Sequence, residues 1–146
     1  MMELLVMLTI GGRQCALRAV EVDSVMEIET ITRVPNAPDH VVGLSTRRSQ
    51  TLTVVDCMRA AGLEETTNPI GQRAAVVEHE GHIYALLVDA IEDVEGSDGE
   101  VIAVTGGFGE HWSQLAEGMV ETRRGPALLL KADRLIAGKG RIPAAA

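Results

Sequence analysis

The sequence predicts a mainly β fold built from two small lobes that share one apolar core. Short runs rich in Val and Ile are separated by many of the fifteen glycines, and few segments keep a helical period. A weak internal repeat supports two lobes. Two segments share the pattern of a strand, a glycine turn, a second strand that contains Ala-Leu, and then Asp with spaced aliphatic residues. Within 146 residues, lobes of about 60 residues would each be marginal alone, which favours a shared core.

The first part of the chain predicts a hairpin and a third strand. Glu3–Ile10 is apolar at nearly every position, which fits a strand covered on both faces, and Gly11-Gly12 turns it into Arg13–Arg18. A single helical turn is expected at 19–23. Residues 25–29 follow as a strand, with Met26 and Ile28 facing inward.

A rigid proline turn organises the next stretch. Pro35 and Pro38 fix two φ angles and keep the residues before them out of helical geometry. Gly43 and a polar crossing at 45–49 lead into a period-2 strand at 50–55. Asp56 is placed to cap a short helix at 57–61.

The second half repeats the pattern. Arg73–His79 and residues 82–88 form a hairpin, and residues 89–94 match 23–28 in pattern. A helical turn at 111–116 is expected to bury Trp112 and Leu115. A last hairpin spans 119–130, and Asp133 is expected to cap a helix at 134–137. The glycine-rich run at 106–109 lacks the context of a phosphate loop, and residues 139–146 are expected to be a loose tail.

The charge pattern argues against a nucleic-acid partner. The net charge is −8, whereas phosphate binding depends on clustered Lys and Arg. Between residues 78 and 121 there are eleven acids and no Lys or Arg. This stretch is either a solvated face that keeps the domain soluble or an acidic surface that steers a basic partner.

No catalytic or metal-binding motif stands out. Cys15 and Cys57 lie outside any nucleophile motif, and buried free thiols are the expectation. His79 and His82 approach each other on a hairpin, but no further ligand follows at zinc-like spacing. No apolar run is long enough to span a membrane, and Glu3 stands where a signal peptide would carry positive charge. We therefore expect a cytoplasmic protein without a cofactor.

The order of features resembles the CheW-like domain over nearly the whole chain. The resemblance rests on the run TRVPNAP at 32–38 followed by Gly43, and on V-M-E-I at 25–28, Arg48, V-V-D at 54–56, L-V-D-A-I at 87–91, L-L-L at 128–130 and D-R-L at 133–135. It implies two five-stranded, SH3-like β barrels packed around a common core, with short helices. The whole of 1–146 would be one domain, with pieces at roughly 13–71 and 72–130 and with the N-terminal strand and the C-terminal segment crossing between them.

The same resemblance implies a noncatalytic adaptor. Its partners would be the regulatory domain of a CheA-type histidine kinase and the cytoplasmic tip of a chemoreceptor. Glu27 and Ile28 match the family's V-x-E-I strand, and Arg48 matches the arginine of its N-L-R-G turn; with Arg47 and Ser49 they are the predicted partner-binding residues. Glu27 and Arg48 would pair across a groove and fix its shape, or form an ordinary surface ion pair.

The turn departs from the family pattern G-x-x-N-L-R-G-x-x-x-P. Thr46, Arg47, Ser49 and Thr53 replace Asn, Leu, Gly and Pro, and Ser49 takes φ > 0 less cheaply than glycine, so a different turn is expected. Two alternatives therefore stay open. One is a diverged adaptor that caps or competes within an array or serves a kinase outside motility. The other is a thiol or metal enzyme, or a ligand-binding barrel, centred on Cys15 or the histidine pair.

Overall fold

The computed structural model describes residues 3–97, 99–103 and 110–138. The glycine-rich run at 106–109 and the tail from residue 139 lie outside these ranges. The strands are β1 (Glu3–Ile10), β2 (Arg13–Arg18), β3 (Ser24–Glu27), β4 (Val41–Arg47), β5 (Gln50–Asp56), β6 (Arg73–His79), β7 (His82–Leu87), β8 (Ala90–Ser97), β9 (Ala116–Thr122) and β10 (Gly125–Leu130). The helices are α1 (Cys57–Ala60), α2 (Glu110–Leu115) and α3 (Ala132–Ala137), with a 3₁₀ turn at Ala19–Glu21.

The strands form two five-stranded sheets with the same topology. The first, barrel one, has the order β8-β1-β2-β10-β9, and the second, barrel two, has the order β3-β6-β7-β5-β4. In each sheet an antiparallel hairpin is followed by a parallel pair, β2 with β10 and β7 with β5. The predicted fold class, mainly β with two five-stranded units and short helices, is confirmed.

Among the described residues, one isolated pair closes each sheet. In barrel two, Thr32 and Leu44 each donate a backbone N–H to the other's carbonyl oxygen, both at 2.8 Å. In barrel one, Ile102 and Met119 do the same at 2.8 and 2.7 Å. The segments joined by each pair are called here the seam of that barrel: residues 27–32 with β4, and residues 97 and 99–102 with β9.

The internal repeat is real, but its two halves are shared between the barrels. The chain leaves the hairpin β1-β2 of barrel one to form β3 of barrel two, and leaves β6-β7 of barrel two to form β8 of barrel one. The predicted pieces 13–71 and 72–130 therefore need correction. Barrel two takes residues 24–87, whereas barrel one combines 3–18 with 90–130. A hairpin and the strand after it bury their apolar faces in different sheets, which a linear division cannot represent.

Three apolar clusters fill the molecule. One lies inside each barrel, with Leu87 in barrel two and Leu129 in barrel one as fully buried examples. The third and largest joins the barrels and includes Leu8, Leu86 and Trp112. Alternate residues of β1 pack in the shared cluster and in the interior of barrel one. Both faces of the strand are therefore covered, as its nearly continuous apolar sequence predicts.

The short helices pack around this shared core. Asp56 caps α1 as predicted: its Oδ1 accepts the Met58 N–H at 3.1 Å, and its carboxylate also binds the backbone and hydroxyl of Thr66. Helix α2 buries Trp112 and Leu115, which was also predicted. The prediction for α3 is wrong by two residues, because Lys131 is the N-cap and Asp133 lies within the first turn.

Candidate partner-binding site

The turn between β4 and β5 projects from the end of barrel two. Arg47 pairs with Gln50, which leaves Arg48 and Ser49 as a two-residue connection with φ of 53° and 69°. Turns of this kind favour Asn-Gly, because both central residues need positive φ. Here both residues take left-handed conformations although neither is glycine. For non-glycine residues this geometry costs on the order of 1–2 kcal/mol each.

The three predicted residues of the turn are accessible to different degrees. Arg48 and Ser49 are exposed, and Arg47 is half-buried at the end of β4. Among the described residues, no ion pair involves either arginine. Their guanidinium groups therefore keep donors for a carboxylate from outside the chain.

The two predicted residues of β3 differ in role. Glu27 is exposed at the end of the strand, opposite Arg73 in the register. Ile28 follows it and is fully buried inside barrel two, where it packs with Leu52 and Val54. Its side chain is thus part of the core and presents nothing to a partner; it anchors the strand that carries Glu27.

Glu27 and Arg48 do not form the expected pair, since no ion pair or side-chain hydrogen bond between them occurs in the part of the chain that the structure describes. The two residues belong to opposite edges of the sheet, β3 and β4. Only the Thr32–Leu44 pair joins these edges in the described ranges. Both side chains are exposed, and in the described structure they do not neutralise each other.

The corresponding turn of barrel one is built differently. There Arg123 and Arg124 connect β9 to β10, and the positive φ falls on Gly125 at 100°. Arg124 reaches three acids of β8, with nitrogen–oxygen distances of 3.0 Å to Glu92, 4.0 Å to Asp93 and 3.5 Å to Glu95. This network was missed from the sequence. Nothing in the local sequence signals it, because the arginine and the acids lie on different strands.

A buried hydroxyl further distinguishes the two barrels. Ser45 of β4 is 3% exposed, and its Oγ is without a hydrogen-bond partner. It lies opposite Leu52 in the register, on the face toward the apolar interior of barrel two. Val120 occupies the matching position of β9, two residues after Gly118 as Ser45 is two after Gly43, and is buried inside barrel one. An unbonded hydroxyl in an apolar interior destabilises its surroundings.

The acidic stretch is partly neutralised within the chain. Besides the three β8 acids, Glu117 binds Arg18 through two hydrogen bonds of 2.6 and 3.0 Å, and Glu3 binds the same guanidinium at 3.1 Å. This contact lowers the pKa of Glu117 and raises that of Arg18. Part of the stretch therefore has a structural role in barrel one.

The cysteines and histidines lack the features of a reactive site. Cys15 and Cys57 are free and buried, as predicted. Burial raises the pKa of Cys15 to about 12 and that of Cys57 well above its usual value, which opposes the thiolate that nucleophilic catalysis needs. His79 and His82 do pair across the β6–β7 hairpin. Within the described ranges, no group of three or more His, Cys, Asp or Glu is arranged to hold a metal.

No helix in the described residues is both long and apolar enough to cross a membrane. What the chain presents instead is a pair of five-stranded barrels around a shared apolar core, with charged turns at their ends, which defines it as a small two-barrel β domain. The chain belongs to the CheW-like domain family, whose model matches residues 4–139.

A solved structure agrees with this assignment at the level of the fold. The crystal structure of the scaffolding protein TtCheW from Thermoanaerobacter tengcongensis superposes with a TM-score of 0.80 at 21% sequence identity. The match covers 97% of this chain and 92% of that one. A search of curated proteins found no match to the chain.

Proposed function

We propose that this protein is a noncatalytic cytoplasmic adaptor that couples chemoreceptors to a CheA-type histidine kinase. Membership of a family of chemotaxis scaffolds supports the class of function. The proposed site rests on one observation: Glu27 and Arg48 of barrel two are both exposed, and they are not paired with each other in the described structure. The partners would be the kinase regulatory domain and the cytoplasmic tip of a receptor.

Glu27 and Arg48 together suit a partner that carries both an acidic and a basic side chain. Arg48 offers a planar fork of donors, which binds a carboxylate best through two parallel hydrogen bonds. Glu27 would accept from a Lys or Arg of the partner. Because neither group has an ion pair to give up in the described structure, binding gains these contacts without first breaking internal ones. Such pairs fix orientation and speed association more than they add affinity.

Binding to the regulatory domain of a cognate kinase tests the proposal directly. We expect Arg48→Glu and Glu27→Lys each to weaken binding by about tenfold or more, which corresponds to about 1.4 kcal/mol. Isothermal titration calorimetry measures this, and circular dichroism checks the fold of each variant.

Matched controls reverse charges elsewhere. Arg123→Glu alters the turn of barrel one, where the side chain is 88% exposed, and Glu121→Lys alters an exposed position of β9 in the same barrel. Both should retain nearly full affinity. Unchanged affinity in Arg48→Glu and Glu27→Lys would refute the site, and absence of any binding by the wild-type protein would refute the coupling function.

A diverged adaptor is the second candidate, favoured by the positive φ of Ser49 and the half-buried charge of Arg47. Replacing Thr46, Arg47 and Ser49 with the family's Asn, Leu and Gly would restore an apolar residue and a strain-free turn. Under this hypothesis the triple variant binds a typical family kinase more tightly than the wild-type protein does. No gain in affinity would count against divergence at this turn.

A further inference from the structure

We propose that the seam of barrel two opens locally while the seam of barrel one stays closed. The opening would separate residues 27–32 from β4 and leave the other strands of the barrel paired. This opening would be a conformational switch in barrel two, between the segments that carry Glu27 and Arg48. Two differences between the barrels carry the proposal: the polar contacts across each seam and the residue buried behind it.

The first difference lies in the contacts across the seams. Thr32 and Leu44 exchange two backbone hydrogen bonds, and the described residues add no side-chain hydrogen bond or ion pair between residues 27–32 and β4. Barrel one has the equivalent Ile102–Met119 pair and, in addition, a hydrogen bond of 2.8 Å from Ser97 Oγ to the Glu121 carbonyl oxygen. Among the described residues, barrel two thus has fewer polar contacts across its seam.

The ion pairs of Arg124 strengthen this contrast. They connect the β9–β10 turn to Glu92, Asp93 and Glu95 on β8, the strand that leads into the seam of barrel one. Glu95 is only 14% exposed, so this pair is screened less by solvent than a typical surface pair. In the part of the chain that the structure describes, no ion pair connects the β4–β5 turn to β3 of barrel two.

The second difference is the residue buried behind the seam. Ser45, one residue after Leu44, buries an unbonded hydroxyl where barrel one has Val120. Opening of the seam admits water to this hydroxyl, so the buried hydroxyl favours the open state. The left-handed turn at Arg48 and Ser49 belongs to the β4–β5 hairpin, which stays paired in both states.

The seam also separates the two charges of the proposed site, and this step rests on the proposed function. Glu27 lies at the start of one side, and Arg48 follows the end of β4 on the other. A partner that binds both residues therefore selects the closed seam. Its apparent affinity is lowered by the fraction of molecules in which the seam is open.

Amide hydrogen exchange of the free protein, followed by NMR, tests the opening. We expect the amides of Thr32 and Leu44 to be protected at least about tenfold less than those of Ile102 and Met119, after correction for intrinsic rates. Ser45→Ala should slow exchange at Thr32 and Leu44 by about threefold to tenfold, because it removes the buried hydroxyl that gains water when the seam opens.

Arg124→Gln is the matched variant for barrel one. It should speed exchange at Ile102 and Met119 and leave Thr32 and Leu44 unchanged. Equal protection at the two seams, or a Ser45→Ala effect spread evenly over all slow amides, would overturn the proposal, because the second result indicates global unfolding. No kinase is present in the experiment. Failure of the seam proposal therefore leaves the adaptor function untouched, and failure of kinase binding leaves the seam proposal standing.

Discussion

Barrel one and barrel two share a strand order and the same kind of closing backbone pair, but among the described residues they differ in the polar side-chain contacts beside it. In barrel one, Arg124 and Ser97 add an ion-pair network and a hydrogen bond to the closing backbone pair. In barrel two, Arg48 of the matching turn stays unpaired in the described structure. The comparison teaches that two copies of one topology can carry different polar contacts, and the proposals for barrel two rest on that difference.

The largest expected effect tests whether the barrels share one core. Leu86 is fully buried in the cluster that joins them. Leu86→Ala should lower the free energy of unfolding by about 2–5 kcal/mol and leave a single cooperative transition. Urea denaturation followed by Trp112 fluorescence and by circular dichroism measures both quantities.

Leu87→Ala and Leu129→Ala are the controls for this prediction, because each lies inside one barrel only. They should cost a similar amount. Two separate transitions in any of the three variants would show that the barrels unfold independently, which contradicts a common core.

A somewhat smaller effect is expected from the glycines at the seams. A Cβ on Gly43 would lie 2.4 Å from the Thr32 carbonyl oxygen, and one on Gly118 would lie 2.4 Å from that of Ile102. Gly43→Ala and Gly118→Ala should each destabilise the protein by about 1–3 kcal/mol, because backbone must move to relieve the clash.

Hydrogen exchange distinguishes the two glycine variants. Gly43→Ala should expose the amides of Thr32 and Leu44, and Gly118→Ala those of Ile102 and Met119. If each variant loosened both seams equally, the barrels would not be the independent closures described above.

Removing the buried hydroxyl should stabilise barrel two. Ser45→Ala deletes a polar atom that has no partner, and we expect a gain of about 0.5–1.5 kcal/mol in the free energy of unfolding. Val120→Ala, the matched change in barrel one, removes packed methyl groups and should instead destabilise. Thermal denaturation compares the two variants; a loss of stability in Ser45→Ala would show that the hydroxyl is satisfied in solution.

The smallest effect concerns pH. The Arg18 contact lowers the pKa of Glu117, so the pair stabilises the fold above the ordinary glutamate value of 4.5 and is lost as pH falls through the lowered pKa. Both side chains are partly exposed, which limits the contribution to about 1 kcal/mol or less. Glu117→Gln should therefore be slightly less stable than wild type at pH 7 and equal to it near pH 2, as urea denaturation at both pH values can check.

Much of the fold could be predicted because its signals are local. Three of these signals each depend on a few neighbouring residues: the apolar run of β1, the Asp56 cap and the glycine turns. The assignment of strands to barrels could not be predicted from the sequence. The crossings from β2 to β3 and from β7 to β8 are decided by packing between distant segments. The resemblance supplied the two-barrel architecture but not its boundaries.

The candidate site was predicted less completely. Position in the motif identified Glu27 and the Arg48 turn, and the structure places both at the surface. Ile28 is in the core, although the same motif placed it beside the contacts. The Ser45 hydroxyl and the Arg124 network had no local signal, because each depends on residues from another strand.

Hydrogen exchange of the protein in complex with the kinase regulatory domain tests most directly whether barrel two is the binding barrel. The amides of Thr32 and Leu44 should exchange more slowly in the complex, by at least about tenfold, while those of Ile102 and Met119 should keep their rates in the free protein. Slower exchange confined to Ile102 and Met119, with Thr32 and Leu44 unaffected, would place the partner on barrel one and contradict the account.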